Sequence, residues 1–169
     1  MPKIQPGAAE RGNVIAHELG LPRSIVTNTM RKMKEAGLIA AARPVAPTLY
    51  SRDVARILLA LCAPLPVNAP FVQHKLGSLV RLSGDGAVNA ETELTDLLDE
   101  SAGLVAGDID FRKGEILISS DAAFMVVSGE RAGGTVVNRT YRAETDLPGM
   151  RRIVQITLPA LHRIAQQLL

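Results

Sequence analysis

The sequence predicts an α+β chain, in which a helical N-terminal head is followed by a mixed part with an antiparallel β-meander and a C-terminal helix. Three observations predict it. Apolar residues recur at helical spacing through the first 63 positions. Short Val- and Ile-rich runs separated by Gly or Asp follow between residues 115 and 157. Helical spacing then returns in Leu161, Ile164, Ala165 and Leu168.

Taken in order, residues 1–12 hold two prolines and two glycines with little periodicity, and predict a flexible arm. A short helix is expected over 13–19, with Asn13 as its cap and Gly20 as its stop. A second helix is expected over 23–36, because Pro22 suits a first turn, Val26, Met30 and Met33 form one stripe, and Gly37 ends it. Residues 38–41 and 48–50 suit a small hairpin. Ser51 is expected to cap a helix over 52–63, whose Val54, Ile57, Leu58 and Leu61 again keep helical spacing.

Pro64, Pro66 and Pro70 then break the pattern, so 64–70 is the expected linker between a head, 13–63, and a remainder, 71–169. Beyond it, amphipathic helices are expected over 71–82 and 91–103. Strands are expected over 115–119, 122–128, 134–141 and 152–157, with Thr157 capping the last helix.

At 169 residues, with 47% hydrophobic and 21% charged side chains, the chain can bury a core of its own. With Trp 0, Tyr 2 and Phe 3, that core is aliphatic, and the stacking platforms that bind single-stranded nucleic acid or sugars are excluded. Cys62 has no partner for a disulfide or a thiolate zinc site, the first residues lack the basic and apolar pattern of a secretory leader so that none is expected, and no apolar run reaches membrane-spanning length. A reducing cytoplasm is the expected compartment, and no membrane partner is expected.

Charge is divided unevenly along the chain. Up to Asp53 there are eight Lys or Arg against four Asp or Glu, and after it eleven against thirteen. No Lys or Arg occurs between Leu82 and Phe111, a stretch that holds eight acidic residues. A basic head on an acidic remainder suits a polyanion bound at one end only.

The head also carries a spacing of its own. Ala16, Leu19, Gly20, Leu21 and Val26 stand where a support helix, a glycine turn and a second helix meet. With Ser24, Thr27 and the run Met33-Lys-Glu-Ala-Gly-Leu-Ile39, this stretch resembles the winged helix-turn-helix of MarR-type and related bacterial or phage regulators over about residues 13–50. The resemblance implies binding to double-stranded DNA with the second helix in the major groove. Two features depart from the pattern: Thr29 replaces a core aliphatic, and the short wing carries one cation, Arg43.

If Val26, Met30 and Met33 face inward, a step of about 100° per residue puts Ser24, Thr27, Asn28 and Arg31 outward. Arg31 suits a guanine edge, Asn28 an adenine edge, and Ser24 and Thr27 a base or phosphate. Arg23, Lys32, Lys34 and Arg43 suit phosphates.

Enzyme chemistry is not expected. His17, His74 and His162 show no metal-binding spacing, and no nucleophile elbow, Walker loop or dinucleotide fingerprint occurs. No cofactor is expected, and Cys62 reads as a small core residue, with a redox-sensing thiol left open. The expected function is a sequence-specific transcriptional regulator acting as a homodimer. Leu161, Ile164 and Leu168 are the expected dimer surface, packing on the sheet being the alternative. The remainder would serve dimerisation, a small-molecule effector or the transcription machinery. Two other readings stay open: a phage-type DNA-recognition protein of packaging assemblies, and a protein-interaction module.

Overall fold

The computed structural model describes residues 6–41, 47–82, 88–142 and 152–169. Helix α1, Ala8–Leu19, begins inside the expected arm. Its start is marked by the Glu10 carboxylate accepting the Gly7 backbone N–H at 2.8 Å. Asn13 therefore lies within the helix instead of capping it, and its Oδ1 is buried without a hydrogen-bond partner among the described residues. Gly20 ends α1 at φ +63°, a left-handed turn that favours glycine, with the Leu21 N–H returning to the Ala16 carbonyl at 2.9 Å.

Helix α2 spans Arg23–Glu35 and α3 spans Ser51–Ala60. Ser51 is the first residue of α3, and the end is capped by Asp53, which accepts the Tyr50 N–H at 3.1 Å. A short 3-10 turn, Pro66–Asn68, leads into α4, Ala69–Gly77. The expected 71–82 helix thus stops early, and Val80–Arg81 form strand β1. The reason is tertiary: Val80 and Arg81 pair with Arg142 and Tyr141 at the edge of the sheet. Helix α5 is Ala90–Ala102, capped as a sequence Asx N-cap should be by Asn89 Oδ1 accepting from the Thr92 N–H at 2.8 Å.

The meander follows as β2, Ile109–Ser119, β3, Phe124–Arg131, and β4, Val136–Arg142, and is completed by β5, Val154–Thr157. All neighbours are antiparallel, in the order β1-β4-β3-β2-β5. Helix α6, Leu158–Leu168, begins where Thr157 Oγ1 accepts the Ala160 N–H at 3.3 Å. Alternation along the strands puts Ile116, Ile118, Met125, Val127 and Ile156 on the buried face, in register across three strands. Helix α6 packs on β2, and also against α1 and α5.

One buried cluster runs from Ile15 in α1 through Leu58 in α3 and Leu98 in α5 to Leu168 in α6, taking in both sides of the proline-rich break. Cys62 sits in it, its Sγ directed to the Leu58 carbonyl at 3.5 Å. Burial pushes the thiol up to about 12, which disfavours the thiolate form that redox sensing uses.

Gly114 sits at a register shift in β2 with φ +118°. A Cβ there would lie 2.4 Å from the Ser128 carbonyl oxygen and 2.8 Å from Leu158 Cδ1. Gly114→Ala should therefore cost about 1–3 kcal/mol of unfolding free energy, from backbone strain and overpacking together. Urea denaturation measures it, and an unchanged midpoint would refute the steric argument.

Candidate nucleic-acid interface

The interface is built from α1, the Gly20 turn and α2. Ile15 and Ala16 of α1 are buried, as are Val26, Thr29, Met30 and Met33 of α2. Gly12 faces α2, where a Cβ would stand at ordinary contact distance, 3.7 Å from Met30 Sδ and 3.8 Å from Thr27 Oγ1. Thr29, which departs from the usual aliphatic, is core all the same at 2% exposure.

The opposite face of α2 is free of the core. Arg23, Ser24, Thr27, Asn28 and Arg31 are exposed, and Lys32 and Lys34 are half-buried at its flanks. Arg23, Ser24, Thr27, Asn28 and Lys34 make no side-chain hydrogen bond or ion pair among the described residues, so their polar groups face solvent. Arg31 and Lys32 share Glu35, at 3.8 and 2.6 Å. Lys32, with Arg31 further off, holds the Glu35 carboxyl below its ordinary value. Arg43 lies outside the described residues. The residues flanking it, 38–41 and 47–50, contain no strand, so the described part of the expected hairpin is irregular.

Two cations counted toward the basic head have partners within the chain, Arg11 in the interior and Arg52 at the surface. Arg11 is 5% exposed, its Nε donating to the Pro6 carbonyl at 2.7 Å and its Nη1 to the Pro47 carbonyl at 2.6 Å. Arg52 donates from Nε to Glu91 at 2.6 Å. Arg56, not singled out in the sequence, donates to the Leu38 carbonyl at 2.8 Å and to Glu91 at 3.1 Å. Arg11 and Arg56 thus tie the chain entering α3 and the turn leaving α2 to the helices beside them. A signal for Arg11 was present: it stands four residues before Ile15, on the buried stripe of α1.

The residues expected to form a dimer surface are placed elsewhere. Leu161 and Ile164 are 0% exposed and Leu168 is 1% exposed, packed in the core that α6 shares with β2, α1 and α5. This corrects the expected surface: an apolar stripe at a chain end found its partner in the same chain. The support is polar as well, since Arg163 Nε donates to Glu18 on α1 and Gln166 Nε2 to the Ser101 carbonyl at 2.7 Å. The Arg163 hydrogen bond is the main cause holding the Glu18 carboxyl below its ordinary value.

Behind α2 lie α1, α3, α4 and the Pro66–Asn68 turn, so the proline-rich segment braces this helix from the side away from solvent. No group of His, Cys, Asp and Glu that could hold a metal ion occurs among the described residues. No helix among them is long and apolar enough to cross a membrane. Compared with known proteins, the chain matches no family model, no curated protein and no solved structure.

Proposed function

We propose that the chain is a sequence-specific double-stranded DNA-binding transcriptional regulator of bacterial or phage type, with α2 as the helix that enters the major groove. The observation that carries the reading is the outer face of α2. Ser24, Thr27, Asn28 and Arg31 share one exposed stripe about two turns long, with Arg23 at its start and Lys32 and Lys34 at its edges. That arrangement supplies hydrogen-bonding groups for base edges in the middle and cations for phosphates at the sides. The braced underside supports the reading too, because a base-reading helix must hold its side chains in fixed register.

Arg23, Lys32 and Lys34 are the described cations that α2 offers to phosphates, so a single copy would bind weakly. Pairing of two copies doubles the contacts and the base pairs read. The buried α6 stripe leaves a homodimer to form through another surface.

Capture and sequencing of duplex fragments bound by the purified protein at near-physiological salt tests the reading. One enriched, two-fold-symmetric motif is the expected result. Binding at background with no motif would overturn it. On that motif, Arg31→Ala should cost about 1–3 kcal/mol and relax preference at one base pair. Lys32→Ala should weaken binding to all sequences alike and lower the salt slope by about one. Equal losses on specific and unrelated duplexes for Arg31→Ala would remove it from base reading.

A further inference from the structure

A second surface feature does not touch α2. Where the chain enters α3, residues 48–52 and the outer side of α5 enclose a cleft of about 390 Å³. That is within the range of small-molecule sites, about 300–1,000 Å³. Its wall is apolar, formed by Leu49, Tyr50 and Leu104, and Tyr50 and Leu104 remain 67% and 61% exposed at its rim. Two large hydrophobic side chains left in water beside a concavity are a cost that an apolar ligand would relieve.

The polar side of the cleft is Ser51, Thr95 and Asp99. The Ser51 hydroxyl, 5% exposed, donates to Asp99 Oδ1. No other side-chain hydrogen bond reaches the Asp99 carboxylate among the described residues, and no cation pairs with it. The single cation in the lining is Arg52, whose Nε is held at 2.6 Å by Glu91, a carboxylate it shares with Arg56 at 3.1 Å. An apolar wall facing a carboxylate with accepting capacity to spare selects for a donor that carries positive charge.

We propose that this cleft binds a small organic amine, with its apolar body against Leu49, Tyr50 and Leu104 and its ammonium group on Asp99. An organic anion is disfavoured by the same carboxylate. The proposal is independent of the reading of α2 as a DNA-binding helix, because the lining shares no residue with that face.

The test is a titration of the isotope-labelled full chain, followed by the amide resonances, with phenethylamine, 2-phenylethanol and phenylacetate as probes of one shape and three charges. The expected result is saturable shifts confined to residues 48–52, Thr95, Asp99, Leu104 and Leu169. Phenethylamine should bind at least about tenfold tighter than 2-phenylethanol, and phenylacetate should not saturate. Asp99→Asn should bring the amine down to the affinity of the alcohol. No saturable shift at these amides, equal binding of the three probes, or undiminished amine binding by Asp99→Asn would each overturn the proposal. The comparison of probes on the unaltered chain decides the matter even if Asp99→Asn fails to fold.

Discussion

Leu161→Ala should lower the free energy of unfolding by about 3–5 kcal/mol, the cost of a cavity where a fully buried leucine is truncated. The size follows from position. Leu161 is 0% exposed on a helix that packs against β2, α1 and α5, so the void would be lined by rigid elements with little freedom to collapse. A side chain at an interface between copies would behave differently, with dissociation as the main effect and stability dependent on concentration. Urea denaturation at two protein concentrations, together with sedimentation, separates the cases. The expected result is a large, concentration-independent loss with no change in association state. A small loss accompanied by dissociation would return the α6 stripe to an interface role.

Glu93→Ala should cost a similar amount, about 3–5 kcal/mol, for a different reason. Glu93 is 3% exposed on α5, where one carboxylate oxygen accepts from Arg139 Nη1 and the other from the Tyr141 hydroxyl. Removal of the carboxylate strands a half-buried guanidinium and the hydroxyl of a tyrosine that is 0% exposed. Arg139→Ala should leave Glu93 as an uncompensated buried charge and be damaging in turn. Tyr141→Phe keeps the ion pair and should cost no more than about 1–2 kcal/mol. If all three variants were equally mild, the network would contribute nothing beyond filling space.

Burial, and then the Glu93 hydrogen bond, raise the Tyr141 phenol above its ordinary value. A raised phenol contributes stability that is complete below its unfolded value near 10, and that is lost as pH rises through the folded value. Tyrosinate absorbance from Tyr141 should therefore emerge together with unfolding, in strong alkali.

Much of this fold was legible in the residues. The stripe Val26, Met30 and Met33 marked the buried side of α2, and the same periodicity marked its polar side. Asn89 and Thr157 stand at the starts of α5 and α6 as short oxygen-bearing caps do, although only Thr157 had been read as one. What was not legible came from contacts between distant positions. Arg11 counts as positive charge in a composition and is an internal tie in the structure, because its carbonyl partners include Pro47, 36 residues away. Val80 continued an apolar helical pattern, yet its backbone pairs with Arg142. Such pairings leave no periodic trace near either residue.

The sequence by itself determined most of the local elements: helical stripes, glycine stops and the β-meander, set by backbone sterics and side-chain period within a few residues. Tertiary structure alone decided which groups were left over after packing. It committed Arg52 to Glu91, enclosed Leu161, Ile164 and Leu168, and left the outer face of α2 and the cleft beside Asp99 open to solvent. The physical reason is that burial and ion pairing are settled between elements, by which surfaces find partners across the whole chain, and local pattern does not encode that choice.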